Sequence, residues 1–257
     1  MRGEKEKKCL DFVKANIKSE NYYAFTQDDI DEFKGCFNSA VSNPNSNEFP
    51  DFICDNGFIE HFQITSGKIT RKGSEHIKEL SQYKNQIKKD INQEITDNPN
   101  EIIEPYHYVF HYPKHSYEYL KKSIEENWEK HIESLDNYTG NKNIGIFMIE
   151  YQDSTIEMIE NIFVDWKEGL SCGNLRRPQE LDYYSLCRDK EILEFIYKYK
   201  NKINYVIYVF SKGLEIIKLN NILEINKLFP WNFHIVALHN TIRVDHYIPL
   251  PRFQEDN

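Results

Sequence analysis

Two carboxylates, Asp51 and Glu60, flank the segment Asp55-Asn56-Gly57 in the run Phe49-Pro-Asp-Phe-Ile-Cys-Asp-Asn-Gly-Phe-Ile-Glu-His-Phe62. Asn and Gly tolerate the positive φ that tight turns need, so the β-rich residues on either side predict an antiparallel hairpin over 50–54 and 58–64. If Asp55 and Asn56 form the turn, positions whose numbers sum to 111 oppose each other. Asp51 then lies across from Glu60 on one face; a bulge at Gly57 would move this by about one residue. Opposed like charges repel, and Pro50, Phe52, Ile53, Phe58, Ile59 and Phe62 surround them with apolar material in which a lone charge is costly. A divalent cation relieves both problems. Mg²⁺ or Mn²⁺ is a hard ion, held by one or two carboxylates with water and phosphate oxygens. Bound there, it would polarise a phosphodiester and supply a hydroxide nucleophile.

Other groupings compete with this pair. Glu32, on a helix preceding the hairpin, could complete an acidic site, although Asp28, Asp29 and Asp31 beside it describe a solvated helix face. Glu150, with Gln152 and Asp153 after it, ends an apolar strand and offers a rival acidic placement without a Pro-Asp hairpin before it. His107, His111 and His115 recur every four residues, a metal-ligand spacing on a helix, but the aromatic run Tyr106–Tyr112 reads as a strand and Pro113 interrupts it. Lys68, Arg71, Lys72, Lys78, Lys84, Lys88 and Lys89 concentrate positive charge just after the hairpin, where a phosphate backbone could bind; Glu75, Glu79, Asp90 and Glu94 balance them. Arg176-Arg177 is a smaller cluster of the same kind. No glycine-rich phosphate loop and no Gly-x-Ser-x-Gly elbow is present, which leaves nucleotide-binding folds and elbow hydrolases without sequence support.

The elements that must position these residues follow from periodicity. Helices are expected at 4–18, 28–41 with Thr26 as N-cap, 74–95 after Ser74, 116–135, 155–166 and 189–200. Strands are expected at 106–112, 143–151, 205–210, 214–219 and 234–238, with an irregular connection at 167–188. Helices and strands interleave, so the class is α/β, or mixed α+β. The 257 residues carry 40% hydrophobic side chains, enough for a core, and the expectation is a single α/β domain over 1–257. Within it, residues 26–151 would form a core and 152–257 a C-terminal α/β extension. A net charge of −9 argues against a protein that coats nucleic acid, though not against an enzyme acting on it. Five widely spaced cysteines without a Cys-x-x-Cys pair argue against a disulfide framework or zinc ribbon and for a reducing, cytoplasmic setting. No secretory signal or membrane span is expected.

The hairpin resembles the PD-(D/E)xK, or restriction-endonuclease-like, nuclease superfamily. The matching residues are Pro50-Asp51, eight intervening positions, and Glu60-His61-Phe62, with a helix feeding the hairpin; the likeness covers residues 26–76. It implies a restriction-endonuclease-like core, a central mixed sheet with flanking helices, in which Asp51 and Glu60 hold Mg²⁺ or Mn²⁺. It also implies metal-dependent hydrolysis of DNA phosphodiester bonds, with a homodimer as one arrangement for cutting both strands. Where the family has a lysine two positions after the Glu, this chain has Phe62. Gln63, pointing to the other face of an ideal strand, and Lys72, in the following loop, are the candidates for positioning water. The missing lysine at Phe62 favours the alternative, a non-catalytic nuclease-like module that binds nucleic acid or a protein partner. No strand is evident between the second helix and Pro50, where the family's core has one.

Overall fold

A computed structural model describes residues 3–45, 48–70, 73–97, 106–111, 115–151, 153, 155–160, 180–229, 233–237 and 242–247. In chain order the elements begin with α1 (Glu4–Asn16), β1 (Tyr22–Tyr23), α2 (Gln27–Asn38), β2 (Val41–Ser42), β3 (Phe52–Cys54) and β4 (Gly57–Ile64). There follow β5 (Ile69–Thr70), β6 (Gly73–Ser74), α3 (Glu75–Asp97), β7 (Tyr106–His111), α4 (Tyr117–Asn137), β8 (Ile144–Tyr151) and β9 (Ile156–Glu160). The last are β10 (Glu180–Leu181), α5 (Lys190–Tyr197), β11 (Tyr205–Phe210), β12 (Gly213–Lys218), α6 (Ile222–Leu228), β13 (Phe233–Ala237) and β14 (Ile242–Tyr247).

The chain divides into two compact units. The first comprises residues 1–66 and 117–237. Its centre is a seven-stranded mixed sheet in the order β1-β12-β11-β8-β4-β3-β2. β4, β8 and β11 run parallel to one another, whereas β2, β3 and β4 form an antiparallel meander. β8 explains its own place: Ile144 through Ile149 are apolar or glycine at every position and buried on both faces, as a central parallel strand requires. On one face α4 lays down the stripe Leu120, Ile124, Trp128, Ile132 and Leu135, at helical spacing, against Phe58, Phe62, Phe147 and Ile149. On the other, α1 and α2 bury Cys9, Leu10, Val13, Phe33, Cys36 and Phe37 against Ile59, Ile146, Met148 and Ile207. The result is three layers, helix–sheet–helix. A smaller sheet of order β10-β9-β13 also belongs to this unit.

The second unit comprises residues 67–116 and 238–257. It contains the β5–β6 hairpin, the 23-residue helix α3 and the antiparallel pair β7–β14, in which His107 pairs with His246 and His111 with Ile242. His107 and His111 are therefore strand residues, and the helical metal spacing does not arise. Gly67 and His115 form an antiparallel bridge at the base of this unit.

Local chemistry explains several boundaries. Thr26 caps α2 reciprocally with Asp29: Asp29 N donates to Thr26 Oγ1 at 3.2 Å, and Thr26 N donates to Asp29 Oδ2 at 2.9 Å. α2 ends at Asn38 rather than Val41, and Val41–Ser42 pairs with β3 instead. The strand absent from the sequence reading is thus present, only two residues long. The helix expected at 155–166 is also corrected. Residues 156–160 form β9, with Ile156 and Met158 fully buried at a spacing of two, while 161–166 lie outside the described residues. Lys72, Gln152, Cys172 and Arg176-Arg177 lie outside them as well. Among the described residues no helix is long and apolar enough to cross a membrane.

Candidate functional site

The hairpin register is the one its turn predicts. Phe52 pairs with Ile59, Ile53 with Phe58 and Cys54 with Gly57, which leaves Asp55 and Asn56 as a two-residue turn without a bulge. Gly57 has a specific reason to be glycine: a Cβ there would meet the Ile144 carbonyl oxygen at 1.9 Å. Carried one residue further, the register puts Asp51 opposite Glu60.

The two carboxylates hold the hairpin end together through each other's strand. Asp51 N donates to Glu60 Oε2 at 3.0 Å, and His61 N donates to Asp51 Oδ2 at 2.9 Å. Glu60 is 7% exposed. Burial, and then the neighbouring Glu60 charge, push the Asp51 carboxyl up from 3.8 to about 6; the hydrogen bond from His61 offsets only part of this. The surroundings therefore disfavour the ionised form of Asp51.

A residue that the sequence reading missed joins them. His131, on α4, donates from Nδ1 to Glu60 Oε1 at 2.7 Å. Its ring lies parallel to that of Phe62, with centroids 4.8 Å apart and planes 12° apart. The position where the resembling family carries lysine is thus filled by a benzyl group with an imidazole stacked on it. With Nδ1 engaged by Glu60, Nε2 is the other ring nitrogen of His131. His131 lies far from the hairpin in sequence, and only the docking of α4 on β4 could have revealed it.

Strand alternation sends the next residue to the opposite face. His61 Nε2 is 3.0 Å from Glu150 Oε2, and Gln63 Nε2 donates to the same oxygen at 2.8 Å. β4 and β8 are parallel with Gln63 level with Glu150, so Glu150 meets this pair and not Asp51. Cys9 of α1 completes the group, its thiol pushed up to about 12 by burial and by Glu150. Gln63 is therefore not brought to Asp51 and Glu60. Nor is Glu32, which bonds the Tyr205 hydroxyl and Lys218 Nζ, the latter at 3.1 Å. Asp153 is engaged by Ser66 N at 2.7 Å and Thr65 Oγ1 at 2.5 Å.

Positive charge is available elsewhere. A recess of about 520 Å³ between α1 and α2 is lined by Lys14, Lys18 and Lys34, with Tyr22 and Gln27. The Tyr22 hydroxyl is buried without a hydrogen-bond partner. On α3, in the second unit, Lys78, Lys84, Lys88 and Lys89 are exposed. No family model, no curated protein and no solved structure matches the chain.

Proposed function

We propose that the protein is a metal-dependent nuclease hydrolysing DNA phosphodiester bonds, with Asp51 and Glu60 as the residues that hold Mg²⁺ or Mn²⁺. The observation that carries this reading is the opposition of a half-buried carboxylate, Asp51, and a buried one, Glu60, across a tight hairpin, with Asp51 raised to about 6. The donor set fits a hard ion. Asp51 accepts one hydrogen bond and Glu60 two, out of about four lone-pair sites on each carboxylate, so oxygens remain for a cation. The bound ion would supply Lewis-acid polarisation of the phosphoryl group and a low-pKa water. The chain's own contribution is positional. Asp51 fixes the β4 backbone at His61, Glu60 orients His131, and Nε2 of His131 is the base that takes a proton from the attacking water in place of the family's lysine.

A second reading has its own observation. Phe62 is buried under the His131 ring, and both Glu60 oxygens brace neighbours, as in a nuclease-like module that binds without cutting. Plasmid nicking by the purified protein with Mg²⁺ or Mn²⁺ separates the two. The nuclease reading expects cleavage that is lost in Glu60→Gln and reduced about 10²–10⁴-fold in His131→Gln, the usual contribution of a general base. Wild-type protein that cuts neither DNA nor RNA with either metal would leave the binding module.

A further inference from the structure

On the sheet face turned away from Glu60, three side chains of different chemistry converge from three elements: Cys9 from α1, His61 from β4 and Glu150 from β8. Their ligand atoms all lie within 4.8 Å of one another, and among the described residues this is the group of three metal-capable side chains that meets so closely. Cys9 and His61 are 5% and 7% exposed, and the Glu150 side chain 19%. We propose that this trio is a zinc-class metal site, separate from the Asp51–Glu60 pair and independent of the function proposed for it.

Distance, charge and donor chemistry each support the assignment. Ligand atoms about 2.0–2.3 Å from a tetrahedral Zn²⁺ stand roughly 3.3–3.7 Å from each other. The His61–Glu150 separation of 3.0 Å therefore has to open only slightly. A thiolate, a carboxylate and a neutral imidazole carry two negative charges, which one divalent ion cancels, leaving an electrically neutral set in an apolar layer. A sulfur–nitrogen–oxygen donor set selects Zn²⁺ or Co²⁺ over Mg²⁺, which takes oxygen ligands and keeps its waters. Three protein ligands leave the fourth position to water. Binding releases the Cys9 thiol proton to solvent as the sulfur becomes a ligand. Gln63 is the outer partner: its amide holds Glu150 Oε2 and so fixes the carboxylate's direction.

The test is a titration of the full-length, metal-stripped protein with Co²⁺, followed by Zn²⁺. The expected result is a thiolate-to-cobalt charge-transfer absorption that saturates at one equivalent and is erased by one equivalent of Zn²⁺. Cys9→Ser should lose the band. Glu150→Gln should keep a weakened one, and Gln63→Ala should lower the affinity by about 10–100-fold. In thermal melts Zn²⁺ should raise the transition of wild type by more than that of Cys9→Ser, the difference being the share of the trio. If Cys9→Ser does not fold, His61→Asn serves in its place, with retained sulfur absorption and reduced affinity. No band at stoichiometric Co²⁺ overturns the proposal. So does an equal band in Cys9→Ser, which would move the metal to other thiols, such as Cys36 and Cys54. Neither readout involves nucleic acid or Mg²⁺, so it stands or falls apart from the nuclease reading.

Discussion

Asp51 carries a carboxylate that the fold would rather have neutral. Its ordinary value of 3.8 rises to about 6, so the protonated form is favoured on folding. Such a group contributes stability below about pH 4 that is lost as pH rises through about 6. Asp51→Asn keeps an oxygen for the His61 N–H and removes the charge facing Glu60. In metal-free buffer at pH 7 it should raise stability by about 1 kcal/mol, or about 2–4 °C, and flatten the decline between pH 4 and 6. It should also abolish any stabilisation by Mn²⁺. A melt of Asp51→Asn that falls below wild type at pH 7 would show that the pair braces the hairpin more than it strains it. The Asp51–Glu60 opposition is legible in the sequence because an Asp-Asn-Gly turn fixes register over a few residues. Strand alternation likewise sends His61 away from Glu60. Neither His131 over Phe62 nor Cys9 beside Glu150 is legible, since one depends on where α4 docks and the other on the parallel register of β4 with β8 and on α1.

At the scale of elements, the capping of α2 is tied to the far edge of the sheet. Asp29, in the first turn, accepts from Lys218 Nζ of β12 at 2.6 Å and from Asn221 Nδ2 at 3.0 Å. Burial alone would raise its carboxyl; the hydrogen bonds from Lys218, Thr26 and Asn221 outweigh that and hold it at about 2. The sign is opposite to that of Asp51: this contribution is present above about pH 4 and is lost as pH falls toward 2. Lys218→Met should lessen that acid-side loss in a pH series of melts, and an unchanged acid limb would place the sensitivity elsewhere. On the other face, Trp128 is fully buried between Phe147 and Tyr199, and its indole N–H has no hydrogen-bond partner. Trp128→Ala should cost about 3–5 kcal/mol by denaturant unfolding. Trp128→Phe should cost markedly less, because it also removes an orphaned donor. Periodicity made α4 readable over its whole length. It failed at β9, where the i, i+3 spacing of Ile156 and Ile159 fits a helix, and the burial of Ile156 and Met158 at a spacing of two decides for the strand. β2 was unreadable for a simpler reason, since a two-residue strand has no period.

At the scale of the whole molecule, every residue of both candidate sites belongs to the first unit; the chain passes into the second after Ser66, returns at Tyr117 and passes into it again after Ala237, and Gly67 and His115, near the first two crossings, are bridged to each other. A chain with 68–114 replaced by two glycines and ending at Ala237 should therefore fold, melt in one transition and show the same cobalt absorption as the full protein. A deletion that is soluble only as an unfolded chain would mean that the second unit supports the first. The pairing of β7 with β14 has a consequence for how the molecule is made. His111 finds its ladder partner only when Ile242 has been synthesised, and Tyr22 waits in the same way for Ile216. On the ribosome β7 emerges early, without the neighbour that pairs its backbone, while most of the chain is still to come. A stop codon a few residues upstream of Ile242 would leave that aromatic strand open, an edge suited to joining another nascent chain.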